Sequence, residues 1–323
     1  MNRKFKKCFI TGISGSGGSY LAEHIHKKDK NIIISGSYRS TGHKDELKKN
    51  IKNIKLFKLD LCDFKKVKKI LKSVRPNLIY HLAADADVRN SFYNPISSTK
   101  NNVISCVNLL QAIKEINLDC LFILCSTSEV YGIVPKKDLP VKETQKFNPV
   151  NPYAVTKVYQ DFITQVFSKS FNLKVIITRM FTYNNARRTN LFQTAFAKQI
   201  VEMEKKNFKK GTLYHGNLNS KRCLLDIEDA MEAYWLTAVK GKIGEIYNIS
   251  GRKVISVSEF LNNLISLTSI NIRKKIKKTL VRPVDIPIQI PNSDKFKKHT
   301  GWKEKVSFDQ SIYNLLEECR RRY

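Results

Sequence analysis

Residues 8–25 read Cys8-Phe9-Ile10-Thr11-Gly12-Ile13-Ser14-Gly15-Ser16-Gly17-Gly18-Ser19-Tyr20-Leu21-Ala22-Glu23-His24-Ile25. The apolar run Cys8-Phe9-Ile10, without polar alternation, predicts a strand buried on both faces. Gly12, Gly15 and Gly18 then fall between that strand and the start of a helical pattern. A Gly-x-x-Gly-x-x-Gly turn in this position suits the diphosphate of a dinucleotide. The first glycine turns the chain, the second admits the phosphate to the backbone, and the third lets helix and strand pack closely. The anion then meets the free N–H groups of the helix N-terminus. This stretch predicts the first unit of a doubly wound α/β fold with a parallel sheet.

Working outward, a second strand over 31–37 runs into Tyr38-Arg39-Ser40-Thr41. No acidic residue stands there to hold a ribose 2′-hydroxyl. Arg39 with the Ser40 and Thr41 hydroxyls suits a 2′-phosphate, which favours NADP and leaves NAD possible; a plain surface charge is the other reading of Arg39. A third strand over 54–59 leads to Asp60-Leu61, placed to contact adenine. A fourth, over 78–82, ends in Leu82-Ala83-Ala84, small enough for a flat ring to lie against the backbone. His81 inside that strand reads as a core histidine, and Asp85, Asp87 and Arg89 read either as substrate contacts or as a solvated loop.

The fifth apolar run, Leu121-Phe122-Ile123-Leu124-Cys125, delivers Thr127, Ser128 and Glu129 to the carboxyl edge of the sheet, where open α/β sheets bind ligands. Tyr153 and Lys157 lie four apart at the head of a predicted helix, so they share a face. A fixed ammonium beside a tyrosine is expected to lower its pKa and make it a base for a sugar hydroxyl. Another strand follows over 174–179, after which strand–helix alternation weakens. We expect a dinucleotide-binding domain over 1–180, rejoined by 222–255, and a smaller substrate lobe from 181–221 and 256–323. Leu224-Leu225-Asp226 and 244–249 read as further sheet units, and Ser256 with Glu259 as a capping box.

The chain has 323 residues, 42% hydrophobic and 27% charged, enough for a large core. No run approaches the ~18 apolar residues of a membrane span, and the basic N-terminus lacks a secretory apolar region, so a cytoplasmic location is expected. The seven cysteines form no Cys-x-x-Cys pair and lie near no histidine cluster, which predicts neither a metal site nor a disulfide framework. A net charge of +30 raises nucleic-acid or membrane-surface binding. The lysines, however, recur at helical spacing among apolar residues and do not interleave with aromatics. They read as solvated helix faces whose field helps steer a charged nucleotide, with no nucleic-acid or membrane partner.

Together, Gly12/Gly15/Gly18, Asp60-Leu61, Leu82-Ala83-Ala84, Thr127 and the Tyr153/Lys157 pair resemble the extended short-chain dehydrogenase/reductase superfamily. Residues 18–23 and Thr127-Ser128-Glu129-Val130-Tyr131-Gly132 are similar to its GDP-mannose 4,6-dehydratase branch, and the neighbouring 4-keto-6-deoxymannose reductases share features. Phe181 with Ala186-Arg187-Arg188 resembles that branch's arginine loop, which implies Arg187 on a cofactor, reaching a neighbouring subunit, and Arg188 on substrate. Asn217, Arg222, Arg282 and Asp285 fall in segments similar to its GDP-sugar contacts. The family's Asn-His-Glu is replaced here by Thr182-Tyr183-Asn184, and 192–200 looks reductase-like. A further resemblance is to bacterial GDP-N-acetylglucosamine 4,6-dehydratases of the legionaminic acid pathway. The resemblance implies a homodimer or homotetramer that makes a 4-keto-6-deoxy sugar nucleotide from GDP-mannose or GDP-N-acetylglucosamine, recycling NADP(H) internally. Tyr153, with Lys157 and Thr127, would serve oxidation at C4, and Glu129 would remove the C5 proton and protonate the departing C6 hydroxyl. The alternatives are an NADPH-dependent 4-keto-sugar reductase and, more remotely, a non-catalytic nucleotide- or nucleic-acid-binding protein.

Overall fold

The computed structural model describes residues 2–40 and 42–323, so Met1 and Thr41, including the hydroxyl expected near a 2′-phosphate, lie outside the described residues. Strands β1 (Lys7–Thr11), β2 (Ile33–Tyr38), β3 (Lys55–Lys58), β4 (Leu78–His81), β5 (Leu121–Thr127) and β6 (Lys174–Met180) form one parallel sheet. Past β7 (Lys210–His215) and β8 (Lys221–Cys223), the sheet is completed by β9 (Ile246–Ile249). The order across it is β3-β2-β1-β4-β5-β6-β9. The apolar runs pair in register across the middle: Phe9 opposite Ile79, Ile79 opposite Phe122, and Phe122 opposite Val175. All four are buried, which is why these strands are continuously apolar.

Two cores cover the two faces. On one, helices Ser16–Lys28 and Ile227–Lys240 pack Leu21, Ala22, Ile25, Ala230 and Tyr234 against Ile10, Tyr80 and Ile123. On the other, helices Phe64–Val74, Ser105–Glu115 and Pro152–Phe171 pack Val67, Leu71, Leu109, Ile113 and Phe167 against Phe9 and Phe122. A third core holds the lobe together, drawn from helices Phe192–Lys205, Val257–Ile265 and Phe308–Arg322. The lobe also carries two small sheets. β8 pairs with β10 (Val254–Ser256), and β7 pairs with β11 (Asn271–Ile276). The Ser256/Glu259 capping box is formed.

Two boundaries differ from expectation. Leu224-Leu225 is not a strand of the large sheet. β9 already occupies the ladder beside β6, and β8 pairs instead with β10, while Leu225 bridges only to Tyr183. Asp226 accepts from Glu228 N–H and caps the next helix. The stretch 294–302, expected in the lobe, packs Phe296 and Trp302 into the first core of the nucleotide-binding domain, with Phe296 edge-on to Tyr247. Its aromatic bulk fills the end of that core beyond β9. Among the described residues, no helix is long and apolar enough to cross a membrane. No group of three or more His, Cys, Asp or Glu residues among them could hold a metal.

Candidate active site

The sheet order explains how dispersed motifs become one site. Read across the carboxyl edge, β3 ends at Asp60, β2 at Arg39, β1 at Gly12, β4 at Leu82-Ala83 and β5 at Thr127-Ser128-Glu129. The motifs therefore line up from the expected adenine end to the reacting end, across the point between β1 and β4 where the chain reverses its winding.

The glycine turn is built for close approach. Gly12 has φ +67°, and a Cβ there would stand 3.0 Å from Ala83 Cα. A Cβ on Gly18 would stand 2.3 Å from the Gly12 carbonyl oxygen. The helix Ser16–Lys28 starts with no side-chain cap and no acidic residue in its first turn. Its leading N–H groups are left to an anion, so the chain fits the diphosphate of a dinucleotide. Arg39 and Asp60 share a hollow with Lys100 and Asn101. Arg39 Nη1 donates to Asn101 Oδ1 at 2.9 Å, and Asp60 Oδ1 accepts from Cys62 N–H; Leu61 is buried beside them.

A second cleft, of about 390 Å³, is lined by Leu82, Thr127, Ser128, Glu129, Tyr153, Lys157, Arg188, Asn217, Arg222, Arg282 and Asp285. All four expected catalytic residues, and all six expected substrate residues, meet there. Tyr153 and Lys157 are buried on the helix Pro152–Phe171, which Asn151 caps by accepting from Ala154 N–H at 2.8 Å. The same Asn151 donates through Nδ2 to Glu129 Oε2 at 2.9 Å. Across the cleft, Arg222 donates to the Ile286 carbonyl and to Asp285, and Asn217 donates to the other Asp285 oxygen. Arg282 stands 3.9 Å from Asp285. This edge therefore presents cations held by one carboxylate, suited to phosphates.

The electrostatics correct one expectation. Burial pushes the Tyr153 phenol up to about 12, with Arg188 and the Thr127 hydroxyl pulling it down and Glu129 pushing it up. Lys157 is turned elsewhere: its ammonium donates to the Cys125 carbonyl at 2.8 Å and to Gln160 Oε1 at 2.6 Å, and burial lowers its own pKa. The cation that acts on Tyr153 is Arg188, placed by a 2.6 Å bond to the Ala86 carbonyl. His81 is a core histidine as expected. It is fully buried between Thr11 and Gln160 and lowered to about 3, chiefly by burial. Asp87 caps the short helix Val88–Tyr93, and Asp85 accepts from Ser98.

Arg187 does not line this cleft. Its guanidinium lies 3.9 Å over the Tyr20 ring and pairs with Glu23 and Glu46 at 2.8 and 2.7 Å, beside Arg322, which also pairs with Glu46. Sequence reasoning missed Asn151 and Gln160. The Asn-Pro helix start signals a cap, but no local pattern signals the bond to Glu129.

Fold, glycine turn and Tyr/Lys helix together define a dinucleotide-binding enzyme of the extended short-chain dehydrogenase/reductase type. The family described as GDP-mannose 4,6 dehydratase matches residues 9–315, and the chain belongs to that family of nucleotide-sugar dehydratases. It is 29% identical over 346 residues to the GDP-mannose 4,6 dehydratase of Homo sapiens, covering 98% of this chain and 92% of that one. It is 24% identical over 247 residues to the GDP-6-deoxy-D-mannose reductase of Pseudomonas aeruginosa, covering 76% and 81%. A solved structure of RMD from Pseudomonas aeruginosa, complexed with NADPH, shares the fold with a TM-score of 0.80 at 21% identity, covering 98% and 100%.

Proposed function

We propose that this protein is a 4,6-dehydratase acting on a GDP-linked hexose, GDP-mannose or GDP-N-acetylglucosamine. The observation that carries the reading is a carboxylate, Glu129, held in the same cleft as Tyr153. Oxidation at C4 alone needs a base for one hydroxyl proton. Elimination of water needs a second group that removes a carbon-bound proton and protonates a leaving hydroxyl. A bound nicotinamide would supply a reversible hydride acceptor. Tyr153, with Thr127 beside it, takes the C4 hydroxyl proton, and Arg188 and Lys157 stabilise the site electrostatically. Glu129 takes the C5 proton, made acidic by the adjacent ketone, and passes a proton to the C6 hydroxyl, which leaves as water. Asn217, Arg222, Arg282 and Asp285 bind the diphosphate and nucleoside.

Gly12, Gly15, Gly18, Leu82 and Ala83 would hold the cofactor's diphosphate and nicotinamide half, and Arg39, Ser40, Asp60 and Leu61 its adenosine. Arg39, with no carboxylate at the end of β2, supports NADP, as does the NADPH bound in the structural relative. A homodimer fits the exposed face of the Tyr153 helix. Val155, Tyr159, Phe162 and Val166 form one stripe, and the only charged residues between them, Lys157 and Asp161, are buried. In a chain of net charge +30, an apolar stripe free of exposed charge is where a second copy meets least repulsion.

The relative from Pseudomonas aeruginosa gives a second reading, a 4-keto-sugar reductase that shares Thr127, Tyr153 and Lys157. Incubation with each GDP-sugar without reduced cofactor, read by mass, separates the two. Loss of one water with no net NADPH change supports the dehydratase. No water loss from either GDP-sugar, with NADPH oxidation when NADPH and a 4-keto-6-deoxy sugar nucleotide are supplied instead, supports the reductase. Glu129→Gln is expected to lower water loss by about 10²- to 10⁴-fold.

A further inference from the structure

We propose that Asn151 is a positioning residue for Glu129, locking the carboxylate to the helix that carries Tyr153 so that proton transfer at C5 and C6 stays in register with the C4 chemistry. The inference rests on the dehydratase reading. Asn151 is 5% exposed, its backbone is extended at φ −149° and ψ 156°, and its amide is used at both ends. Oδ1 accepts from Ala154 N–H at 2.8 Å, and Nδ2 donates to Glu129 Oε2 at 2.9 Å.

Among the good helix caps, only asparagine offers an acceptor and an N–H donor on one planar group. Serine and threonine use their single, shorter hydroxyl on the helix. Aspartate has no donor when ionised and sets a second negative charge against Glu129. The choice of asparagine is therefore explained by Glu129 and not by the cap. With Oε2 held, Oε1 is the oxygen left to take and return the proton. Other groups facing Glu129 are Tyr153, from the capped helix, and Arg222, from β8, each of which feels its charge; the Glu129 N–H donates to Thr127 Oγ1. None of these contacts holds the carboxylate to the helix, which falls to Asn151.

Two variants that keep the cap test this in the intact protein. Asn151→Ser removes the donor. Asn151→Asp keeps the shape and replaces the donor with a charge. Both are expected to lower kcat for water loss by about 10- to 100-fold, the worth of a hydrogen bond to a charged group, with KM for the GDP-sugar nearly unchanged. The pre-steady-state burst of reduced cofactor at 340 nm, which reports the C4 step, should persist. The distinctive readout is pH. Activity of Asn151→Asp relative to wild type should recover as pH falls, because a protonated aspartic acid donates as the amide does, whereas the Asn151→Ser ratio should stay flat. Both variants within twofold of wild type, or an equal loss of burst and water loss together with a lowered Tm, would reduce Asn151 to a cap and overturn the proposal. If wild type itself releases no water, the dehydratase reading fails first, and this inference with it.

Discussion

Tyr153 stands where burial and a neighbouring cation pull against each other. Desolvation disfavours the phenolate and dominates, while Arg188 favours it. A base must lose its proton before it can accept one, so removing the cation should leave Tyr153 protonated to higher pH. Arg188→Gln is therefore expected to move the acid limb of the kcat/KM profile upward by about one pH unit and to lower the rate at neutral pH. A profile that only drops in height, without moving, would assign Arg188 to substrate binding alone. Lys157 plays a different part. It is held by the neutral Cys125 carbonyl and Gln160, and burial disfavours its charge while nearby groups, Asp161 among them, favour it.

At the scale of elements, the turn that carries Glu129 is braced from beneath by a buried ion pair. Asp161, on the Tyr153 helix, accepts from Arg179 Nε at 3.0 Å, and Arg179, on β6, donates to Tyr131 Oη at 2.8 Å. Tyr131 in turn donates to Asn248 on β9. Arg179→Met leaves buried Asp161 without its guanidinium partner, with the Ser126 hydroxyl still donating to it, and we expect a loss of about 3–5 kcal/mol in urea unfolding, with reduced turnover as the Ser128–Tyr131 turn loosens. Replacing Asp161 as well should return part of that stability. The same contrast separates what the sequence disclosed from what it hid. Strands of unbroken apolar residues, the glycine turn, and Tyr153 spaced four from Lys157 are local patterns with a local cause. The bond from Asn151 to Glu129, the approach of Arg188 to Tyr153, and the capture of Arg187 by Glu23 and Glu46 join segments over 20 to 160 residues apart. No periodicity encodes such contacts. Likewise, β9 takes the place beside β6, and Leu225 pairs only with 182–184 just beyond that strand, a long-range choice no local pattern announces.

For the molecule as a whole, the exposed stripe on the Pro152–Phe171 helix is the face on which the proposed homodimer rests. Phe162 is 56% exposed and Val155 54%, in line with each other and with no exposed charge between. Phe162→Glu should convert a dimer into a monomer by light scattering, with the Tyr153 side of the same helix unaffected; an unchanged mass would place the interface elsewhere.

The path of the chain between its two parts has a consequence for how this protein can vary. After β6 it leaves for the lobe, returns for the helix Ile227–Lys240 and β9, leaves again at β10, and comes back once more to bury Phe296 and Trp302 before the last helix. The two parts are thus laced together and not strung in series. A substrate lobe from a relative could not be spliced in as a cassette with two cuts, because every seam would run through the core of the other part. New sugar specificity in such an architecture has to come by single-residue change along the cleft, with the lacing left intact.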